Sequence, residues 1–122
     1  MATAAVVTVS EHTIGSVKKI EWTWLSSDLG AAELVTTKPY NGELVYAVYT
    51  PGGTTPTADW DVVINDDDGN DVLAGDGIDK SESANSYQPS ALTLGAVAES
   101  KLTMVLSNAG DAKTGKVAIY LR

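Results

Sequence analysis

The sequence predicts an all-β protein: an antiparallel β-sandwich of jelly-roll-like or immunoglobulin-like type, or a small barrel, with little helix. Apolar residues recur at every second position, as in residues 20–24, where Ile20, Trp22 and Trp24 alternate with polar residues. Successive side chains of a strand point to opposite faces of a sheet, so these three share one face. Turn signals separate about six or seven such stretches, which is typical of sandwiches and small barrels.

Further strands are predicted along the chain from the same alternation and from β-branched and aromatic residues. Residues 4–9 form a short strand or a frayed arm, and residues 43–50, β-branched and aromatic on both faces, form a central strand. Alternation predicts further strands at 60–64, 102–106 and 117–121. Residues 26–38 fit one helical turn or a loose strand, and residues 74–90 fit a long polar loop.

Turn residues separate these stretches. Asn41-Gly42 precedes a strand, and both residues tolerate positive φ. Pro and Gly mark a loop at 50–56. The acidic run at 66–70 predicts a hairpin tip, and residues 108–115 predict a hairpin loop between the last two strands.

A length of 122 residues supports one domain. We expect residues 1–16 to form an N-terminal arm or short edge strand, and residues 17–122 to form a single β-sandwich domain. The first ten residues lack the basic and apolar segments of a secretory signal, so we do not expect export as a free secreted protein. No apolar run approaches the roughly 20 residues of a membrane helix, so no membrane partner is expected.

The composition excludes several kinds of site. The chain has no Cys, which excludes disulfides, thiolate metal sites and Cys nucleophiles. Its 8 basic and 16 acidic residues give a net charge of −8. Nucleic acid is not an expected partner, because phosphate binding needs clustered Lys and Arg. We predict a protein that is not an enzyme, with no catalytic residues, cofactor or metal ligands.

Residues Gly110–Lys116 match the first seven positions of a phosphate-binding loop. The eighth position should be Ser or Thr to hold magnesium, but it is Val117. Such a loop should also open a helix, whereas a strand is predicted here. The match is therefore interpreted as a turn between strands.

The acidic run Asp66–Asp71 offers carboxylates of the kind that calcium prefers. The EF-hand pattern needs Gly at its sixth position, where Asp71 stands. Residues 69–74 match part of a calcium-binding β-helix repeat, but a β-helix needs several stacked repeats. We interpret the run as a solvated turn, and leave open whether it binds a cation.

Nine of the sixteen acidic residues lie in the segment 59–82. Such a concentration usually marks a solvated face, although it also fits docking onto a basic partner. His12 is the one His, and a Ser-His-Asp triad would need it as general base. It lies in a polar stretch without a nucleophile motif, so we expect an exposed, non-catalytic His.

Three Trp and five Tyr raise the possibility of carbohydrate binding, because flat rings stack on sugars. Trp22 and Trp24 alternate in step with Ile20, and Trp60 alternates in step with Val62 and Ile64. Each Trp therefore shares a strand face with aliphatic residues, which predicts that it is buried in the core. Tyr40, Tyr49 and Tyr87 are the predicted surface aromatics, and they are too scattered along the chain to predict a binding platform.

Several segments taken together resemble a known group. They are Ile-Glu-Trp-Thr-Trp at 20–24, Asn-Gly-Glu-Leu at 41–44, Pro-Gly-Gly at 51–53, Pro-Thr at 56–57, Trp-Asp-Val at 60–62, Asp-Asp-Asp-Gly-Asn-Asp-Val-Leu-Ala-Gly at 66–75, Leu-Thr-Met-Val-Leu-Ser-Asn-Ala-Gly at 102–110 and Lys-Thr-Gly-Lys-Val-Ala-Ile-Tyr at 113–120. Over about residues 17–122 this order resembles small proteins encoded by tailed bacteriophages, often near the capsid genes. The similarity rests on strand and turn patterns and transfers no functional residue.

The resemblance implies a non-enzymatic virion protein, assembled in the host cytoplasm, that decorates the outside of the capsid and stabilises it. Its expected partner is the major capsid protein or another virion protein. A homo-oligomer is expected, with a trimer favoured, because decoration proteins commonly bind at symmetry axes. Two alternatives remain: a tail, neck or fibre-associated virion protein, and a carbohydrate-binding β-sandwich module.

Overall fold

The computed structural model describes residues 4–89 and 93–122, in which nine strands form two antiparallel sheets. The strands are β1 Val6–Ile14, β2 Val17–Leu25, β3 Ala32–Val35, β4 Tyr40–Pro51, β5 Asp61–Asn65, β6 Ser86–Gln88, β7 Ala96–Ser100, β8 Thr103–Ser107 and β9 Thr114–Leu121. The predicted all-β sandwich is confirmed. None of the described residues belongs to a helix long and apolar enough to cross a bilayer.

The larger sheet has six strands in the order β1-β2-β9-β4-β6, with β7 also paired to β4. Strand β4 borders β9 on one side, and β6 and β7 share its other side. The smaller sheet has the order β3-β8-β5. The predicted central position of the 43–50 strand is therefore correct.

The core lies between the two sheets and contains all three tryptophans, as predicted from their alternation with polar residues. Trp22 donates its indole N–H to the carbonyl of Leu34 at 3.1 Å, which ties the larger sheet to β3. Trp60 donates to the carbonyl of Ser81 at 2.9 Å. The rings of Trp24 and Trp60 meet edge to face, with centroids 5.3 Å apart. Aromatic pairs in this geometry add about 0.5–1.5 kcal/mol beyond their buried area.

Two regions whose sequence patterns are weak each contain a short strand. Residues 26–38 contain the strand β3, which settles the open choice in favour of a strand. The segment 74–90 contains the three-residue strand β6, so it is not all loop; Ser90 lies outside the described residues. Both strands are short, and each is stabilised by a neighbour distant in the sequence.

The connection between β8 and β9 is not a hairpin, because β8 belongs to the smaller sheet and β9 to the larger one. The buried side chain of Ser26 holds this crossing loop. Its hydroxyl donates to the carbonyl of Gly110 at 2.6 Å and accepts the N–H of Lys113 at 2.8 Å. These partners lie more than 80 residues from Ser26 in the sequence, so no local sequence pattern could predict the contact that holds the loop.

The N-terminal strand β1 is longer than the predicted 4–9 segment and runs to Ile14. It forms a hairpin with β2 through the two-residue turn Gly15-Ser16, in which Gly15 has φ +60°. Positive φ at the first turn residue and not at the second is the pattern of a type II′ turn, which favours Gly at its first position. Residues 1–3 lie outside the described part of the chain.

Candidate binding face

Three tyrosines meet on the outer face of the larger sheet. Tyr46 on β4 lies opposite Tyr120 on β9, and Tyr87 on β6 lies opposite Val48. The ring centroids of Tyr46 and Tyr120 are 5.5 Å apart, and those of Tyr46 and Tyr87 are 6.0 Å apart. These distances fall within the range for interacting aromatic pairs. We refer to Tyr46, Tyr87 and Tyr120 as the tyrosine patch.

A charged pair borders the tyrosine patch. Lys19 on β2 lies opposite Tyr120 in the sheet register, and its ammonium lies 5.6 Å from the centre of that ring. The same ammonium is 4.0 Å from a carboxylate oxygen of Glu21. The outer face thus carries the flat rings of the tyrosine patch, with a cation and an anion beside them.

The tyrosines of the patch differ in exposure. Tyr87 is 64% exposed, whereas Tyr46 and Tyr120 are half-buried by their neighbours. Tyr and Trp are enriched at binding surfaces because they offer a large rigid contact area together with a polar end. The patch is therefore suited to binding a flat or gently curved partner surface.

The patch corrects the predicted set of surface aromatics. Tyr87 is exposed as predicted, but Tyr40 and Tyr49 are buried. The pairing of β4 with β9 shifts between Leu44 and Tyr46, and this irregularity turns Tyr46 outward while Leu44, Ala47 and Tyr49 face the core. Tyr120 alternates with buried Ile119 and Leu121, a parity signal that sequence reasoning could have used.

The two buried tyrosines anchor carboxylates. Tyr49 donates its hydroxyl to Asp76 at 2.8 Å; burial and this hydrogen bond raise the pKa of Tyr49 well above its usual value. Tyr40 donates to Glu11 at 2.7 Å, and the pKa of Tyr40 is likewise raised, first by burial and then by the carboxylate. Both hydroxyls therefore remain protonated donors that hold the fold together.

A second feature of the outer face is an apolar groove of about 430 Å³ near the start of β1. Val6, Leu25 and Gly115 are among its lining residues, and Trp24 contributes to it from the core side. A Cβ at Gly115 would overlap the ring of Trp24. The buried indole N–H of Trp24 has no hydrogen-bond partner among the described residues.

Carboxylates of the acidic run accept backbone N–H groups from within the turn and from the residues on either side of it. Asp66 accepts the N–H groups of Asp68 and Asn70 at 3.0 and 2.9 Å. Asp71 accepts three N–H groups, from Ile64, Leu73 and Gly75, at 2.9–3.1 Å. Within residues 4–89 and 93–122, no three His, Asp or Glu side chains converge as possible metal ligands. These carboxylates stabilise the turn that was predicted as a hairpin tip.

The remaining candidate residues do not converge on a site. His12 is exposed on β1, as predicted, and lies opposite Lys19 in the hairpin. After the segment Gly110–Lys116 the chain continues as strand β9, so no helix N-terminus is present there to bind phosphate.

No protein-family model matches this chain, and no curated protein matches it. Among solved structures, it is similar to a cupin domain from Bordetella pertussis Tohama I, with 16% identity, a TM-score of 0.41 and coverage of 98% of this chain and 95% of that chain.

Two further structures are similar at the same low level. One is a low-affinity xylan-binding module, CBM86, from Roseburia intestinalis, with 7% identity, a TM-score of 0.39 and coverage of 98% and 95%. The other is infectious bursal disease virus, Gx strain, with 10% identity, a TM-score of 0.36 and coverage of 98% of this chain but 32% of that one. Scores of this size do not establish a shared topology.

Proposed function

We propose that this protein is a non-enzymatic bacteriophage structural protein that binds the outside of the capsid and stabilises it. Its partner is the major capsid protein, and it assembles in the host cytoplasm. The observation that supports this proposal is the tyrosine patch, a contiguous aromatic surface on the outer face of the larger sheet. The resemblance to small phage proteins suggests the capsid as the surface that the patch contacts.

A decoration protein needs a rigid contact surface that repeats many times on one particle. Tyrosines suit this role, because they lose little side-chain entropy on binding and bury a large area. The oligomer expected for such a protein multiplies a modest contact by avidity, since several copies bind the shell together.

The first experiment is the copy number of the protein in purified virions, measured by mass spectrometry against the major capsid protein. We expect a number close to that of the capsid subunits, or one oligomer per local symmetry axis. A few copies per particle would contradict decoration and favour the tail, neck or fibre; absence from virions would exclude all these roles.

Substitutions then test the surface. We expect the double variant Tyr46→Ala with Tyr87→Ala to lose attachment to capsids that lack the protein. The matched control is Leu29→Ala, which removes an exposed apolar side chain outside the patch. Circular dichroism verifies that both variants are folded. Equal attachment by both would show that the patch is not the contact surface.

Carbohydrate binding is the second candidate, and the same patch favours it. Sugar rings stack on flat aromatic faces, and Lys19 and Glu21 beside the patch offer hydrogen bonds to hydroxyls. The tryptophans are buried, so their fluorescence is a poor reporter. Calorimetric titration with polysaccharides of the host surface is a better test. Binding that Tyr87→Ala abolishes, in a protein absent from virions, would favour this second function.

A further inference from the structure

Strand β1 lies at one edge of the larger sheet, and among the described residues β2 is the strand that pairs with it. Nine consecutive residues pair with β2 without a bulge. Exposed edges of this length are normally shortened, bulged or protected by charge, because their free backbone groups invite another strand. Between Val6 and Ile14 the one carboxylate is Glu11, which hydrogen bonds to Thr37 and Tyr40 of its own chain.

The hairpin register determines which backbone groups point outward. A two-residue turn makes its flanking residues, Ile14 and Val17, a hydrogen-bonded pair. Such pairs alternate along an antiparallel ladder. The even-numbered residues of β1 therefore direct their N–H and C=O groups toward β2, and the odd-numbered residues from 7 to 13 direct theirs toward the free edge.

In place of the trimer favoured by the resemblance, we propose a dimer in which β1 pairs antiparallel with β1 of a second copy, about a twofold axis at Ser10. Val9 then lies opposite Glu11, and Val7 opposite Thr13, as hydrogen-bonded pairs. Ser10 faces its own symmetry mate as a non-hydrogen-bonded pair. Two six-stranded sheets thereby join into one continuous sheet that crosses the interface, with a backbone ladder closing the free edge.

The exposed apolar side chains select this register. Val6 is 57% exposed and Ile14 is 82% exposed, and they lie at opposite ends of β1 on the same face. Pairing about Ser10 places Val6 of each copy opposite Ile14 of the other. An axis at Glu11 would place two carboxylates face to face, which is unfavourable. An axis at Val9 would separate Val6 from Ile14.

The same register covers part of the apolar groove. Val6 lines the groove, so Ile14 of the second copy would lie beside its rim. The acidic segment 59–82, which carries nine of the sixteen acidic residues, includes no part of this strand. The paired strand itself carries one carboxylate, Glu11, so a second copy can occupy this edge without placing two carboxylates opposite each other.

A cysteine-free chain permits a direct test by crosslinking. The Cα atoms of a non-hydrogen-bonded pair lie about 4.5 Å apart, within the range that a disulfide spans. Ser10→Cys should therefore form a covalent dimer rapidly under mild oxidation. Thr8→Cys, on the same face of the same strand, is the control. Its two sulfhydryl positions would lie four residues apart along the ladder, about 13 Å, and should not crosslink.

Light scattering on the unmodified protein at high micromolar concentration should give the mass of a dimer. A monomer or a trimer would overturn the proposal, as would equally fast crosslinking of both cysteine variants. A monomer that binds capsids through β1 would show that a capsid strand occupies the edge instead. The virion copy number tests the capsid role separately, so the two proposals can fail independently.

A charge exchange tests the register. Val6→Lys should weaken the dimer at least tenfold, because it places an ammonium opposite Ile14. Adding Ile14→Glu should restore it, because Lys and Glu then face each other across the interface. Within one chain the two positions lie eight residues apart, about 26 Å, and cannot interact. Failure of the double variant to recover would exclude pairing about Ser10.

Discussion

At the scale of single residues, Gly115 is required by its contact with Trp24. A methyl group at this position would overlap the indole, and neither the β9 backbone nor the buried ring can move freely. We expect Gly115→Ala to lower the free energy of unfolding by about 2–3 kcal/mol, the upper part of the usual range for overpacking. Urea denaturation measures the difference.

The matched control is Gly53→Ala. A Cβ at Gly53 would meet no atom within 4 Å. We expect no loss of stability and a gain of less than about 1 kcal/mol, because Ala restricts the unfolded chain. Equal effects at both positions would refute the argument from close contact.

Glu11 predicts a pH-dependent contribution to stability. Burial opposes its ionisation, but hydrogen bonds from Tyr40 and Thr37, together with nearby Lys38, outweigh burial and lower the pKa of Glu11. A carboxyl whose pKa is lower in the folded state stabilises the fold above its unfolded pKa, near 4.3. That contribution is lost as the pH falls through the folded pKa.

We therefore expect Glu11→Gln to destabilise the protein at pH 7, and the difference from the unmodified protein to shrink toward zero in strongly acidic buffer. Urea denaturation across this pH range provides the measurement. Glu43→Gln, at an exposed position of β4, serves as control. A difference that persists unchanged at low pH would show that the charge of Glu11 is not responsible.

At the scale of elements, the acidic turn after β5 depends on Asp71. Its carboxylate accepts three backbone N–H groups, from both sides of the turn. We expect Asp71→Ala to cost about 2–3 kcal/mol, because it leaves these donors without their acceptor. Asp68→Ala, at an exposed position of the same run, should cost less than about 0.5 kcal/mol. Thermal denaturation that ranks the two variants equally would contradict this role.

Sequence patterns predict elements where burial has period two. The alternation that includes Trp22 and Trp24 predicts β2 correctly, because one face of that strand is buried in the core. The strands β3 and β6 are too short for their own periodicity, and their pairing with distant strands decides their conformation. The hairpin predicted between β8 and β9 is wrong for a related reason. Turn residues predict a reversal of the chain, but they do not tell whether the next strand joins the same sheet.

At the scale of the whole molecule, the tyrosine patch could not be predicted from local patterns. Its members come from β4, β6 and β9, and sheet order brings them together. The irregular pairing between Leu44 and Tyr46 also reverses the parity of β4, so alternation alone assigns the wrong tyrosines to the surface. Finding the patch requires both the strand order and this shift.

The net charge of the whole molecule predicts how the affinity of the dimer depends on salt. Two copies of charge −8 repel each other, although β1 itself carries one carboxylate, Glu11. Added salt shortens the range of this repulsion from about 30 Å at 0.01 M to about 10 Å at 0.1 M. Because main-chain hydrogen bonds and the Val6–Ile14 contacts are little affected, we expect the dimer to tighten several-fold over this range, as measured by analytical ultracentrifugation.

A charge variant separates net repulsion from local effects. Asp68→Asn, Asp79→Asn and Glu82→Gln together remove three exposed carboxylates outside β1 and reduce the charge from −8 to −5. This variant should dimerise more tightly at low salt and depend less on salt. A dimer that weakens as salt rises would instead indicate attraction between unlike charges at the interface, which pairing through β1 does not provide.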